Sequence, residues 1–348
     1  MASMPTVTDV ALAAGVSRQT VSNVMNSPGI VRAGTRERVE SAIAELGYRP
    51  HASARRLRTR RSSTIGIRLD PMIDGLSGSV LDRFLHALTE QADKQGLRVL
   101  LFTATGPEDE ITQLQRLNDG ADVDGFVLTS TFAGDPRTQW LIDNGIAFVT
   151  FGRPWGENDV NDPQHLWVDV DGAAGLHEAT RAAQDAGARR IGYIGWPRST
   201  DTGEDRRRGW HEAMRERGDV TEADLAALEV VTVDGVAEGT AAMKQLQRAA
   251  GRLDAVLCAS DSLALGAMIA NPGRVPVTGY DNTPVAAAIG LSSVDQSVHE
   301  VAEGVLELLT GEFAGHVNRA PESVTPRHRM VTPRLVTRAF AAIPMEGD

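Results

Sequence analysis

The chain has 348 residues, with 35 Lys and Arg against 46 Asp and Glu, a net charge of −11 and a hydrophobic content of 42%. That length exceeds one ordinary domain and suits a small module followed by two lobes. One cysteine, Cys258, excludes a disulfide framework and fits a reducing compartment, while no run nears the ~18 apolar residues of a membrane span and no apolar signal core opens the chain, so a cytoplasmic protein is expected.

From the start, residues 6–26 read as two short helices joined by the turn Gly15-Val-Ser17. In the second helix Val21, Val24 and Met25 fall at helical spacing and are expected to pack inward. Arg18, Gln19, Ser22, Asn23 and Asn26 then share a polar face sized for a DNA major groove. Ser17 is placed to cap that helix, and Gly15 stands where a turn needs positive φ. A third helix is expected over Thr35–Leu46, with Val39, Ala42, Ile43 and Leu46 as its apolar stripe and Gly47 as its C-terminal cap. An ordinary solvated amphipathic pair remains the bland alternative. Charge argues against it: residues 1–63 hold ten arginines against four acids, a net +6, which leaves −17 for the rest of the −11 chain. Six of the ten arginines lie between residues 49 and 61. A basic head on an acidic body fits a head that meets a polyanion.

Six short motifs in this region occur in a specific order: Asp9-Val-Ala, Ala14-Gly-Val-Ser, Thr20-Val-Ser, Thr35-Arg, Gly47-Tyr-x-Pro50 and Ala54-Arg-x-Leu57. With them the stretch from Val7 to Gly66 resembles the lactose/galactose repressor (LacI/GalR) family of bacterial transcription regulators. The resemblance implies an all-α helix-turn-helix headpiece (1–50), a hinge (51–63) and a two-lobed periplasmic-binding-protein-like core (64–340), acting as a homodimer on double-stranded operator DNA. On the second helix, Arg18 suits guanine and Gln19 or Asn23 suits adenine, while Ser17, Thr20, Ser22, Asn26 and Thr35 suit phosphates. Tyr48 and Ala54 join the DNA-facing set, and Leu57 is implied to wedge into the minor groove. Arg32 and His51 depart from the family, which more often has Ser and Asn there. The hinge at 51–58 is too short to hold a helix alone, so the expectation is a coil that becomes helical on DNA.

From residue 64 onward, short Val/Ile/Phe-rich runs alternate with helical patterns. Strands are expected at Thr64–Leu69, Arg98–Thr103, Gly125–Ser130, Ile146–Phe151, Arg190–Gly195, Val230–Val233, Asp254–Ala259 and Val275–Tyr280, and helices at Val80–Gln95, Ala173–Ala186 and Gly239–Ala249. This alternation calls for α/β lobes with parallel sheets. Two stretches, Asp93-Lys-Gln-Gly-Leu-Arg-Val and Gln184-Asp-Ala-Gly-Ala-Arg-Arg-Ile, both end a helix at Gly and re-enter a strand, which suggests two similar lobes with a cleft at their strand ends. The resemblance implies three crossovers between lobes, placed near Val168–Asp171, Val294–Gln296 and Thr325–Thr332. The lobes would then be about 64–168 with 297–325, and about 169–296 with 326–340.

Polar residues at the strand ends are candidates for an effector: Asp70, Arg153, Arg206, Ser260, Asp261, Asp281 and Gln296. A planar guanidinium and a carboxylate can grip adjacent hydroxyls as donor fork and acceptor pair, which is the chemistry expected of Arg206 with Asp281 for a mono- or oligosaccharide. The family's ligand-stacking aromatic near Asp234 and its Asn at position 260 are absent, so Trp155, Trp196 or Trp167 would supply the ring. No catalytic or metal motif is found, no cofactor is expected, and Cys258, in an apolar run, reads as a core residue. The chain lacks a terminal leucine heptad, which favours a dimer. The resulting expectation is a DNA-binding repressor of a carbohydrate operon, released by a sugar and not an enzyme. A regulator answering to a non-sugar metabolite or using a corepressor stays open, as does a cytoplasmic solute-binding protein.

Overall fold

The computed structural model describes residues 5–48, 61–69, 79–156, 160–198, 200–315 and 327–338. They fall into two units, Met1–Ser62 and Ser63–Asp348.

The first unit holds α1 (Val7–Ala14), α2 (Arg18–Asn26) and α3 (Ala33–Leu46). A capping box starts α1: Thr6 accepts from the Asp9 amide, and the Asp9 carboxylate takes the Thr6 amide and hydroxyl, each at 2.7 Å. Those bonds hold the Asp9 carboxyl below its usual range. Gly15 turns the chain at φ 65°, and Ser17 opens α2 by accepting the Thr20 amide at 3.1 Å. Val10, Val21, Val24 and Val39 fill the centre. Leu46 departs from the expected stripe and is 38% exposed. After it Gly47 turns at φ 62° and the Tyr48 amide bonds back to the Ile43 carbonyl, so Tyr48 takes the core position instead.

In the second unit the strands are β1 (Thr64–Arg68), β2 (Arg98–Phe102), β3 (Gly125–Leu128), β4 (Phe148–Phe151), β5 (Leu166–Val170), β6 (Ile191–Gly195), β7 (Glu229–Val231), β8 (Ala255–Cys258), β9 (Val277–Tyr280), β10 (Ser292–Asp295), β11 (His328–Val331) and β12 (Arg334–Val336). The helices between them are α4 (Ser79–Lys94), α5 (Pro107–Asp119), α6 (Pro136–Asp143), α7 (Gly172–Asp185), α8 (Asp201–Arg215), α9 (Glu222–Ala227), α10 (Val236–Ala250), α11 (Asp261–Ala270), α12 (Pro284–Ala288) and α13 (Val298–Gly315). One sheet has the order β11-β5-β4-β3-β1-β2 and is parallel throughout; the other has the order β12-β10-β9-β8-β6-β7, parallel except for β12.

The chain changes lobe three times: at Asp171, at 296–297 and at 332–333. The first crossing follows β5, so 169–170 belong to the first lobe. The last lies between β11 and β12, so the expected assignment of 326–340 to the second lobe is corrected: β11 pairs with β5 in the first sheet. No apolar run marks this strand in the sequence, because His328, Arg329 and Met330 are partly exposed at a sheet edge. The apolar face of α13 (Val301, Val305, Leu309) packs with Ile65, Phe84 and Val149 of the first lobe. The second lobe closes over Tyr193, Trp210, Met243 and Val256, with Cys258 fully buried among them and its thiol pushed up by that burial. Burial of a Val, Leu, Ile, Phe or Met side chain in these cores contributes roughly 1.5–3 kcal/mol. The strand expected at Val230–Val233 ends early at Val231, and Val233 is exposed.

Candidate nucleic-acid face and effector cleft

On α2 the five polar side chains expected on one face divide by exposure. Arg18, Gln19 and Asn26 are exposed, whereas Ser22 and Asn23 are half-buried. Gln19 Nε2 donates to Asn23 Oδ1 at 3.0 Å, so the two amides form one platform beside Arg18. Ser17 and Thr20 hydroxyls lie 2.9 Å apart, and Asn26 Nδ2 donates to the Ser22 carbonyl at 2.7 Å. Thr35 is half-buried in the first turn of α3, and the ring of Tyr48 lies in the core. Arg32, at the start of α3, makes no side-chain cap. Ala54 and Leu57 lie outside the described residues, as do His51 and the other hinge positions 51–58.

The cleft is built at strand C-terminal ends, where open α/β sheets leave crevices. Arg206 is placed by its neighbours in the sequence. A Cβ on Gly209 would sit 1.9 Å from the Ala173 carbonyl oxygen, so α8 lies on the first turn of α7 only with glycine there. One residue before Arg206, Asp205 accepts the Ala173 amide at 3.2 Å and fixes the same contact. Arg206, 5% exposed, then donates to the Ala259 carbonyl and stands 3.5 Å from Asp281 Oδ1. Its guanidinium carbon is 3.7 Å from the Tyr280 ring centroid and 4.9 Å from that of Trp196.

Gln296 donates to Asp281 Oδ1 at 2.6 Å. Burial pushes the Asp281 carboxyl up to about 7, against the pull of Arg206. Arg153, beyond β4, donates to Asp169 at 2.5 Å and across the cleft to Asp205 at 2.8 Å, with its guanidinium 4.5 Å from the Trp155 ring centroid. A polar pocket between these groups is lined by Trp155, Asp169, Thr202, Arg206, Tyr280 and Gln296. Several polar atoms here are buried without a partner: Trp155 Nε1, Arg206 Nε, Asp234 Oδ2 and the Tyr280 hydroxyl.

Of the seven expected effector residues, Arg206 and Gln296 line this pocket, Asp281 contacts both of them, and Arg153 is bonded to Asp169 and Asp205 of its wall. Two others are engaged elsewhere. Ser260 caps α11 by accepting the Leu263 amide at 3.1 Å and donates to Asp234, which in turn accepts from Trp196 Nε1 at 3.1 Å. Asp261 spends both oxygens internally, on the Ser293 hydroxyl at 2.6 Å and the Thr283 amide at 2.7 Å. Its role is to tether the loop that carries Asp281. The seventh, Asp70, lies outside the described residues. Trp167 is also removed from the ligand set: it stacks on His328 at 4.7 Å and donates to the Val160 carbonyl. Asp169, Asp205 and Tyr280 were not singled out as effector residues, although each adjoins or faces one that was. Among the described residues no three His, Cys, Asp or Glu side chains group to hold a metal, and no helix is long and apolar enough to cross a membrane.

Residues 6–51 match the family model for bacterial regulatory proteins of the lacI family, and 180–339 match that of a periplasmic binding protein-like domain. The HTH-type transcriptional regulator CelR of Thermobifida fusca is 35% identical, over 94% of this chain and 97% of its own. A solved complex of transcriptional regulator CelR with cellobiose is 29% identical, with a TM-score of 0.69 over 97% of this chain and 99% of that one. The lac repressor dimer bound to operator and the anti-inducer ONPF aligns with a TM-score of 0.75 over 97% of this chain and 99% of that chain; at 23% identity it shows a shared fold.

Proposed function

The chain belongs to the lacI family of bacterial regulatory proteins, a family of sequence-specific DNA-binding transcription regulators, and from that membership we propose that it is a homodimeric repressor released from operator DNA by a sugar. Arg18 and the Gln19–Asn23 platform read base edges in the major groove. Ser17, Thr20, Ser22, Asn26 and Thr35 fix the helix on phosphates, with Tyr48 and Ala54 in the same DNA-facing set and Leu57 wedged into the minor groove. One headpiece reads only a few base pairs, so two heads on a near-palindrome supply useful specificity. The chain performs no chemistry on its ligand and works in the cytoplasm, where its DNA is.

The observation that carries the sugar reading is the set of buried, unpartnered donors and acceptors at Trp155, Arg206, Asp234 and Tyr280. Buried polar atoms are costly without partners, and a molecule rich in hydroxyls, each able to donate and accept, supplies them. The half-buried ring of Trp155, with Arg153 against one face, suits the C–H face of a pyranose ring on the other. Arg153, Arg206, Asp281 and Gln296 grip the hydroxyls, Asp70 stays a further candidate, and Ser260 and Asp261 position the loops. Similarity to a regulator solved with cellobiose favours a disaccharide of that kind. The test is a gel shift on the palindrome upstream of the protein's own operon, with and without cellobiose and other sugars. Retardation that cellobiose abolishes is expected. Release by a non-sugar metabolite alone, tighter binding with sugar, or no binding of DNA would each overturn the reading.

A further inference from the structure

Arg83 stands in α4 of the first lobe, next to the core residue Phe84, yet its guanidinium works in the second lobe. Nη1 donates to the carbonyl oxygens of Asp281 at 2.9 Å and Asn282 at 3.0 Å, and Nη2 reaches Asp295 Oδ2 at 3.3 Å. These two carbonyls belong to an unusual stretch of backbone. Asp281 has φ 109° and Asn282 φ 46°, a pair of consecutive non-glycine residues on the left-handed side. Such conformations persist only where the surroundings over-determine them. The second lobe holds the amides: Asp281 N donates to the Val294 carbonyl at 2.8 Å, Asn282 N to the Ser293 hydroxyl at 2.9 Å and Thr283 N to Asp261 at 2.7 Å. Arg83 holds the carbonyls from the other side.

We infer that Arg83 is a positioning residue for the effector site, setting the direction of the Asp281 carboxylate and linking it to the first lobe. With both carbonyls fixed, the peptide planes on either side of Asn282 cannot rotate, and the Asp281 side chain stays aimed at Arg206 and Gln296. Because the clamp is carried by α4, a shift of one lobe against the other is felt at Asp281, and engagement of Asp281 by a ligand is felt at α4. Coupling needs such an element, with two arrangements that both sites bias. A guanidinium suits the task because its planar fork serves three acceptors at once, which an ammonium cannot do in the same geometry. The functional half of this inference rests on the sugar reading above; the positional half does not.

The experiment compares the full chain with Arg83→Met, which keeps the packing stem but loses charge and donors, and with Arg83→Lys, which restores the charge. Hydrogen exchange is followed at 279–283, with Val236–Ala250 of α10 as an internal reference, alongside cellobiose titration and operator gel shifts. In Arg83→Met, exchange at the Asn282 and Thr283 amides is expected to rise about tenfold while the reference stays unchanged. Cellobiose affinity is expected to fall about tenfold and sugar-driven release of operator to be mostly lost, with operator affinity in the absence of sugar within about twofold of the parent. Arg83→Lys should recover part of each. Unchanged exchange at 279–283, or an equal rise at the reference helix, overturns the inference. A parent chain that ignores cellobiose counts against the sugar reading alone, and the exchange data still decide the role of Arg83.

Discussion

The Arg206 guanidinium and the Asp281 carboxylate face each other at 3.5 Å, with side chains only 6% and 9% exposed, at the point where α8 meets the loop after β9. A buried pair of this kind is weak evidence for stability, since desolvation offsets most of the attraction, but removing one partner leaves the other charge stranded. Arg206→Ala is therefore expected to cost about 3–5 kcal/mol of folding stability. Arg206→Lys is the more informative change, since it keeps the charge while losing the fork that serves Ala259, Asp281 and the unpartnered Nε side together. Sugar affinity should fall at least about tenfold, within the roughly 2–5 kcal/mol typical of a truncated buried charge pair. Calorimetric titration checks this, with operator binding by gel shift as the control. A lysine variant that binds and responds like the parent would contradict the role given to Arg206.

Asp281 makes the cleft sensitive to pH. Its carboxyl is pushed up to about 7 by burial, from an ordinary value of 3.8. Between those two values the folded protein keeps a proton that the unfolded chain has released. Stability from this group therefore falls as pH rises through that window and is level above it. The sugar is expected to use the ionised carboxylate as a double acceptor, so its affinity should rise as pH climbs towards about 7 and level off above it. In Asp281→Asn both slopes should flatten. Urea midpoints and cellobiose affinities measured across this range provide the check, and an unchanged slope in the asparagine variant would remove Asp281 as the titrating group.

Local chemistry explains why parts of this architecture are legible in the sequence. Ser17, Gly15 and Gly47 act within one turn of their own position, so capping and positive φ could be assigned from neighbours alone. The buried strands β1, β3 and β8 are short apolar runs and stood out for the same reason. By contrast, β11 and β12 are edge strands of three or four partly exposed residues, and their sheet membership depends on partners far away in the chain. Arg206 could be picked out because Arg206-Arg-Arg-Gly-Trp210 resembles the family's Arg-x-x-Gly-aromatic segment, and Asp281 because it follows the strand ending at Tyr280. Asp261 sits in an equivalent place, yet its oxygens are consumed by Ser293 and Thr283, which no local pattern announces. Arg83 was invisible for the same reason: its three acceptors lie about two hundred residues downstream.

For DNA, Arg18 offers a bidentate fork suited to guanine, and its replacement by Ala should cost about 1–3 kcal/mol and relax preference at one position in each half-site. The Gln19–Asn23 bond at 3.0 Å adds a second expectation. Asn23→Ala frees the Gln19 amide, so discrimination should weaken at the position Gln19 reads as well as at its own. Ser17→Ala should act differently. Loss of the cap costs about 1 kcal/mol of helix stability and lowers affinity evenly across operator variants. Binding to a panel of single-base operator variants separates these cases, and an Arg18→Ala protein that ranks the panel as the parent does would remove Arg18 from the reading face.

Gly209 carries the last prediction, because it connects a single missing methyl to the effector site. An added Cβ would stand 1.9 Å from the Ala173 carbonyl oxygen and 2.9 Å from its Cα, all backbone, so α7 and α8 must separate. Gly209→Ala is expected to cost about 1–3 kcal/mol or more as overpacking. The separation would also loosen the Asp205 bond to the Ala173 amide and shift Arg206, which lies one turn earlier on α8. Sugar affinity should drop with it, while operator binding, carried by the other unit, is retained in the folded fraction. Gly311→Ala provides the contrast. It lies in α13 with nothing within 4 Å of an added Cβ, so relief of backbone entropy should stabilise the chain by about 0.5–1 kcal/mol. Thermal unfolding of both variants, with cellobiose titration alongside, gives opposite shifts in Tm if the α7–α8 contact is as close as the geometry requires. A Gly209→Ala protein with the stability and sugar affinity of the parent would show that this contact does not set the position of Arg206.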